Sequence, residues 1–436
     1  MYDVAIVGAG PAGMAVAKTL DPKLKVVLID KGKGVMERTS ITSGFGGAGL
    51  FSDGKLVMSD VVGGNIKEHT YQPSYYLCRA AKMFGADADL TTLQPHLDDA
   101  QQSLADRASR EGMELLATNT IHLGTDGSRI FTEKMYKELD KKCEVRLCTD
   151  IHDIEIVGDE FHLSAGEFGL DSETYRAKTV VLATGREGSK WLADQLSVLN
   201  VKVGGNKVDL GVRMEVPDAV AAELVKFSHD FKIHYYTKCF DDMVRTFCVC
   251  PHGEVVREQF DDLTTCNGHS FKQGVTTNTN FALLVSIPFG SPIRPNEFGR
   301  SIVSLANNIA EGGVIVQRLG DLLDGRRSTK ERIVKSNVKP TLDAFPGDLS
   351  LVLPYRYLCD LTEMIQTMDK IAPGMMAGSN LLYGIEVKFY SNVIELKNMQ
   401  TSIPNLYCVG DGSGVSRGII QAVASGIIAA DAINGK

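Results

Sequence analysis

The sequence lacks the marks of a nucleic-acid or membrane protein. No block of five or more basic residues occurs, and 46 Lys and Arg face 54 Asp and Glu, for a formal net charge of −8. That balance disfavours a phosphate backbone or an anionic bilayer as partner. The longest nearly apolar stretch, 418–433, is interrupted by Gln421, Ser425 and Asp431. It falls short of the ~20 residues a membrane span needs, so it reads as a buried helix and no integral membrane segment is expected. No charged-then-apolar leader opens the chain, because a strand-like run starts at Tyr2. The 9 cysteines are odd in number and scattered, which excludes a disulfide scaffold and suits the reduced thiols of a cytoplasmic protein. Internal repeats and low-complexity tracts are absent as well.

What is present is enough chain, 436 residues, for two or three domains. A β-branched, apolar run ending at Val7 leads into Gly8-Ala9-Gly10-Pro11-Ala12-Gly13, then into the helix-forming run 14–20, and a second strand at 25–29 ends on Asp30. With 43 glycines in the chain the G-x-G-x-x-G spacing says little by itself. Its place between strand and helix, with an acid about twenty residues on, makes it a dinucleotide-binding turn. Gly8 permits the tight turn, Gly10 admits a pyrophosphate to the backbone, and Gly13 lets helix and strand pack closely. The helix start offers unpaired N–H groups and a positive dipole end to phosphate, and Pro11 costs no donor there. Asp30 would accept hydrogen bonds from an adenosine ribose and repel a 2′-phosphate.

Further strands are expected at 144–147, 151–157, 160–165 and 179–183, with helical periodicity at 132–142 and a more polar helical insertion at about 60–115. From 206 to 373 the glycine-loop logic disappears. The chain ends as strand, Gly410-Asp411-Gly412 turn and helix. The expected fold is α/β: a Rossmann-like nucleotide-binding domain with a parallel sheet, made from 1–205 and 374–436, and an inserted α+β substrate domain at 206–373.

The opening loop, Ala183-Thr184-Gly185 and the Gly410-Asp411-Gly412 turn with its following helix resemble the glutathione-reductase superfamily of FAD proteins. The strings 47–56, 245–251, 267–270, 316–329 and 383–391 resemble, more narrowly, a family of uncharacterised FAD-dependent dehydrogenases over nearly the whole length. Many of its members carry an additional N-terminal region, and they usually have glycine where His252 stands. The resemblance implies FAD as cofactor, Asp411 on its ribityl and phosphate part, and the helix start at Gly418 and Ile419 facing flavin N1 and O2. It places the glycine-rich stretch 43–55, with Gly46, Gly47 and Ala48, around the isoalloxazine. Lys31 and Ile151 join Gly8, Gly10, Pro11, Ala12, Gly13, Asp30, Ala183, Thr184, Gly185, Gly410, Asp411, Gly418 and Ile419 as implied cofactor contacts.

No second well-placed glycine fingerprint lies mid-chain, and no cysteine lies in the glycine-rich loop, so neither a dedicated NAD(P)H domain nor a disulfide reductase is expected. Electrons would come from a small-molecule substrate, a transiently bound NAD(P)H or a small redox carrier. Cys239, Cys248, Cys250 and Cys266, with His252 and His269, have no standard metal spacing, and no metal site is expected. A substrate-facing thiol or acid–base pair and plain buried packing both remain open for them. Glu386, Lys388 and Tyr390 alternate, so that on a strand they share a face. Arg326 and Arg327 read as a surface turn or as a grip on an anionic substrate. The expected activity is that of an FAD-dependent oxidoreductase, passing a hydride between a small substrate and flavin N5. His269, Tyr383 or Glu386 would handle the accompanying proton, and Lys55 would put a cation near flavin or substrate. Alternatives are a geranylgeranyl-reductase-like reduction of isoprenoid double bonds and a flavin-dependent RNA-modification protein or redox sensor.

Overall fold

A computed structural model describes residues 1–435 except 41, 52–53, 87–94, 167–172, 205–207, 261, 270–274, 288, 290–293 and 391–392, and except the side chains of His122, Thr125 and Phe260. Ser52, Asp53, Ser270 and Ser391 of the strings above, and the expected boundary at 205/206, lie outside the described residues. The chain forms two compact units, one of Met1–Pro95, Thr118–Asn206 and Ser391–Lys436, the other of His96–Ala117 and Lys207–Tyr390.

The sheet of the first unit runs in the order Glu144–Arg146, Val26–Ile29, Tyr2–Val7, Glu173–Leu182, Glu160–Ala165, Ile151–Val157, with Leu406–Cys408 also paired to Glu173–Leu182. The first four strands and Leu406–Cys408 are parallel, and the remaining two are antiparallel. Side chains alternate along a strand, so a strand covered on both faces must be apolar at every position. Val4, Ile6, Val26 and Leu28 feed one core, and Ala5, Val7, Val27 and Ile29 feed the other. Each such valine, leucine or isoleucine side chain, fully buried, contributes roughly 1.5–3 kcal/mol. The Ile419–Ile433 helix is buried from Ile419 through Asp431, as a helix apolar on all sides must be. A Cβ on Gly426 would lie 2.3 Å from Ala12 O, so this helix and Pro11–Thr19 meet backbone to backbone. The strand expected at 179–183 begins earlier, at Glu173, because its first half pairs with Glu160–Ala165. The periodicity at 132–142 belongs to the helix Gly124–Leu139.

The second unit is built on an eight-stranded sheet in the order Phe345–Pro346, Ile315–Arg318, Leu381–Phe389, Val208–Pro217, Asn278–Ser286, Met243–Cys250, Lys232–Tyr236, Met113–Leu116. Along Val208–Pro217 the apolar Val208, Leu210, Val212, Met214 and Val216 join the core that includes Leu224, Val303 and Leu361 from three helices. Asp209, Gly211, Arg213 and Glu215 take the other face. The described units differ from the expected boundaries in two places, both for the same reason. Leu381–Phe389 is a central strand, paired with Val208–Pro217 and Ile315–Arg318, so 374–390 lies in the second unit rather than with the C-terminal segment. Met113–Leu116 pairs with Lys232–Tyr236, which carries the helix Asp99–Arg110, capped by the Asp98–Gln101 capping box, into that unit too. The fold is α/β, a Rossmann-like unit and a second α+β unit.

Candidate active site

In the first unit four segments meet at the end of the Tyr2–Val7 strand. Gly8 has φ +106°, and a Cβ there would stand 2.3 Å from Ala183 O; a Cβ on Gly13 would stand 1.9 Å from Gly8 O. Only glycine fits either position. Gly10 differs: beyond its chain neighbours, the nearest atom to a Cβ among the described residues would be Gly47 Cα at 3.8 Å, so the turn stays open on that side. Helix Pro11–Thr19 starts there without a side-chain cap. Asp30 secures the turn by accepting from Ala9 N and Gly32 N, both at 2.8 Å. A carboxylate has about four lone-pair sites, so two more remain for a ribose.

The second glycine segment is tied to the first: Gly46, φ +99°, donates to Ala9 O at 2.9 Å, and Gly47 lies against Gly10. Arg38, which the sequence reading did not single out, holds this segment through Nη1 to Phe45 O at 3.1 Å and Gly47 O at 2.9 Å. Burial pulls its pKa down, with Asp30 and Glu187 opposing. From the chain's end, Gly410 packs on Ala12, and a Cβ on Gly412 would lie 2.8 Å from Gly185 O. Asp411 accepts from Ser416 Oγ at 2.6 Å and pairs with Arg186 at 3.2 Å; burial pushes its carboxyl up while Arg186 opposes. Gly49 lies against Ile419, at the start of the Ile419–Ile433 helix, which among the described residues has no side-chain cap. Gln421 anchors the neighbouring loop, accepting from Ile66 N at 3.1 Å and donating to Ser59 O at 3.0 Å and Val62 O at 3.1 Å.

This cradle fits a dinucleotide such as FAD on three observations. Two helix starts present unpaired N–H groups, the space beside Gly10 is open, and Thr184 Oγ1 is buried without a partner among the described residues. Of the remaining expected contacts, Lys31 pairs with Glu187 at 2.7 Å, Ile151 is buried two residues beyond Thr149, whose N–H donates to Asp30 O at 3.0 Å, and Ala48 is exposed. Lys55 opens the strand Lys55–Met58, paired with Asn119–His122.

The polar face of the second unit's sheet is made of side chains bonded to one another. Arg213 and Glu386, both 0% exposed, form a two-bond ion pair at 2.7 and 3.0 Å. Arg213 Nη1 also reaches Asn280 Oδ1 at 2.7 Å and Cys248 O at 3.1 Å, and Lys388 stands 3.3 Å from Glu386. Tyr383 donates to Glu215 Oε2 at 2.6 Å, and Thr341 Oγ1 donates to Glu215 Oε1 at 2.6 Å. Burial raises the pKa of both Glu215 and Tyr383. Asp209 is buried, but Arg245 and the Ser286 and Tyr390 hydroxyls hold it below the usual carboxylate range. Lys232, Arg245 and Lys388 all stand 4.9–5.6 Å from the Phe247 ring centroid. Burial, with Arg245 and Lys232 nearby, pushes His234 down to about 4, so it is neutral at pH 7.

Glu386 and Lys388 do share a face with Tyr390, although the strand ends at Phe389. Tyr383 and Glu386 therefore have their polar atoms occupied inside the unit, whereas His269 is exposed at the end of Leu263–His269, opposite Glu254. Cys248 and Cys250 do not simply share a strand face: a register break follows Phe247, and it is Phe247 and Cys250 that oppose Ala282 and Asn280. Among the described residues no three His, Cys, Asp or Glu groups come together as metal ligands, and no helix is long and apolar enough to cross a membrane. Arg326 is bound to Asp321 at 2.9 Å and Asp324 at 2.8 Å. The sequence reading gave no role to Arg213, Glu215 and Asp209, whose one visible signal is polar residues alternating with apolar ones in a run as hydrophobic as 208–217, nor to Arg245, which it met only at the head of the string 245–251.

Residues 2–187 match the pyridine nucleotide-disulphide oxidoreductase family, and residues 210–389 match the FAD-dependent protein, C-terminal domain-like family. An uncharacterized protein of Clostridium beijerinckii is 27% identical over 98% of this chain and 80% of its own length. One from Methanocaldococcus jannaschii is 35% identical over 16% of this chain and 21% of its own. Among solved structures, pyridoxine 4-oxidase from Mesorbium loti aligns over 100% of both chains at 12% identity and TM-score 0.46. A flavoprotein/dehydrogenase from Cytophaga hutchinsonii aligns over 100% of this chain and 79% of its own, at 11% identity and TM-score 0.36. With an oxidoreductase match over the glycine cradle and an FAD-dependent match over the polar sheet, the chain is an FAD-dependent oxidoreductase.

Proposed function

We propose that the first unit holds FAD along the cradle and that a small substrate exchanges a hydride with the flavin. The observation that carries this reading is the close approach of Gly10 to Gly47 and of Gly410 to Ala12, beside the uncapped start of Pro11–Thr19, together with the uncapped start of Ile419–Ile433 against Gly49. In it, the N–H groups of Ala12 and Gly13 bind the pyrophosphate, Asp30 the adenosine ribose, and Asp411 and Thr184 the ribityl end. When bound, FAD supplies a ring whose N5 accepts or donates the hydride. The N–H groups of Ile419 and Ile420 stabilise the negative charge that collects beside them, aided by the helix dipole. Gln421 holds the 59–66 loop rigid at that end. Lys55 supplies a cation in the first unit, His269 is the proton-handling group of the second, and Tyr383 and Glu386 support the second unit's face from within. That unit offers the surface for the substrate, and the nine reduced cysteines suit a cytoplasmic setting. Electrons leave to or arrive from the substrate, NAD(P)H or a small redox carrier.

The test is to purify the protein, quantify FAD released on denaturation, and follow the visible flavin band anaerobically while metabolites, NADH and NADPH are added singly. One FAD per chain and bleaching by a metabolite support the reading. A colourless protein that takes up no added FAD ends it, and rapid bleaching by NADH alone would make the nicotinamide the dedicated partner.

A further inference from the structure

Cys248 and Cys250 sit where Met243–Cys250 breaks register against Asn278–Ser286. At the break the backbone passes through a left-handed conformation at Cys248, φ +48°, a region that residues other than glycine, Asn and Asp rarely enter. In an unbroken strand, residues i and i+2 stand about 7 Å apart. Here the break in register leaves the Cys250 thiol 3.6 Å from the Cys248 carbonyl, two residues back along the same strand. Cys250 is 2% exposed, whereas Cys248 is half-buried. Arg213 serves both: its Nη1 donates to the Cys248 carbonyl at 3.1 Å, and its charge acts on both sulfurs. The neighbouring Cys250 thiol, then the Arg213 charge, draw the Cys248 thiol below its ordinary range, although burial and Glu386 oppose them. A third thiol gives an internal contrast. Cys266 is 0% exposed, its Sγ lies 3.5 Å from Tyr383 O, and burial pushes it far up.

We propose that Cys248 and Cys250 are a redox-active dithiol that exchanges with small-molecule disulfides, Cys248 attacking and Cys250 resolving. The Cys248 thiolate, its proton released to solvent, attacks one sulfur of a disulfide R–S–S–R. The S–S bond breaks, a mixed disulfide forms on Cys248, and R–S⁻ leaves and takes up a proton. Cys250 then loses its proton and attacks the Cys248 sulfur, forming the Cys248–Cys250 bond and expelling the second R–S⁻, which is protonated in turn. Two protein thiols are oxidised, and one disulfide is reduced to two R–SH. The division of labour follows exposure and acidity, since the thiolate is the nucleophile and must be reached from solvent.

The full-length, FAD-loaded protein, reduced with dithiothreitol and desalted anaerobically, would be exposed to 2-hydroxyethyl disulfide. It is then quenched with N-ethylmaleimide under denaturing conditions and mapped by peptide mass spectrometry. The expected result is joint loss of alkylation at Cys248 and Cys250, in a peptide lighter by two hydrogens, while Cys266 stays fully alkylated. In Cys250→Ser the mixed disulfide on Cys248 should persist. In Cys248→Ser modification at Cys250 should slow by ~10-fold or more, and Cys266→Ser should leave the wild-type pattern unchanged. Both thiols remaining alkylated in the wild-type protein would overturn the proposal. So would a disulfide joining either of them to another cysteine, or an unslowed reaction at Cys250 in Cys248→Ser. The wild-type map decides the matter even where a variant fails to fold.

Discussion

The two polar regions of this chain are built from different parts of the polypeptide. In the glycine cradle the groups proposed to face phosphate and the flavin ring are backbone N–H donors, and side chains such as Arg38 and Gln421 serve to hold that backbone. On the sheet of the second unit the backbone is spent in the ladder, and the polar groups are side chains that hold one another, as Arg213 does Glu386 and Tyr383 does Glu215. A backbone site depends on the absence of side chains. A side-chain site depends on every partner being present, because a buried charge left alone is costly. The two regions should therefore fail differently when mutated.

The largest effects belong to the cradle. Gly13→Ala puts a Cβ 1.9 Å from Gly8 O, against backbone that cannot move without unpacking the helix from the strand. We expect a loss of at least ~3 kcal/mol, read as poor soluble yield or a collapsed thermal transition. Gly10→Val sharpens the contrast. Among the described residues beyond its chain neighbours, its Cβ would meet nothing closer than 3.8 Å, so stability measured on apoprotein should change by less than ~1 kcal/mol. FAD affinity should fall 100-fold or more, because the valine methyls stand where phosphate must approach. A Gly10→Val protein that keeps its flavin would mean the backbone at this turn is not the binding surface.

Next comes the Arg213–Glu386 pair. Glu386→Gln leaves a guanidinium at 0% exposure short of its counter-charge, and Arg213→Met does the reverse. Each single change should cost about 3–5 kcal/mol, while the double variant Arg213→Met, Glu386→Leu should recover most of that loss. Urea unfolding measures all three. Additive losses would show that the two residues act independently, which the geometry forbids.

A smaller effect distinguishes Glu215 by its pH dependence. Burial raises its folded-state pKa above the ordinary 4.5, so the folded protein holds that proton more tightly than the unfolded chain does. Below pH 4.5 both states are protonated and nothing is lost. As pH rises past that value the unfolded chain ionises first, and stability falls until pH exceeds the folded pKa. Glu215→Gln cannot ionise, so the wild-type protein should lose stability relative to it across that window and run parallel to it above. Asp209, held below the usual range, would give the opposite slope. A wild-type curve that gains on Glu215→Gln as pH rises would mean Glu215 is stabilised as the anion.

The same contrast explains what could be read from the sequence. Gly8, Gly10, Gly13 and Asp30 lie within one strand–turn–helix–strand unit, and their steric demands are local, so their spacing carries the information. The second face is non-local: Arg213 meets Glu386 173 positions away, and Gln421 reaches Ile66 355 positions back. Alternation at 386, 388 and 390 was visible, yet nothing in it names Arg213 as the partner of Glu386 or Asp209 as that of Tyr390. Boundaries suffered likewise, because Met113–Leu116 and Leu381–Phe389 are assigned to a unit only by strands far away in sequence. The bulge at Cys248 was invisible for another reason: a two-residue period describes an unbroken strand, and one break in register redirects every side chain after it.

Lys31 is the residue on which the contrast is weakest, and its expected effect is the smallest. It follows Asp30, where a cation could attend a phosphate, yet its ammonium lies 2.7 Å from Glu187, with 42% and 36% of the two side chains exposed. An exposed pair of this kind contributes about 0.2–1 kcal/mol and weakens with salt. If Glu187 is its proper partner, Lys31→Met should alter stability by no more than that and FAD affinity by less than ~3-fold. Glu187→Gln should then behave like Lys31→Met in thermal unfolding. If the ammonium instead turns to the cofactor, Lys31→Met should weaken FAD binding far more than Glu187→Gln does. The gap between the two variants should widen as ionic strength is lowered, because a cation facing phosphate is least screened there. Flavin titrations of the two variants at low and physiological salt separate these outcomes, and the second would place one working cation beside a phosphate site otherwise proposed to be made of backbone.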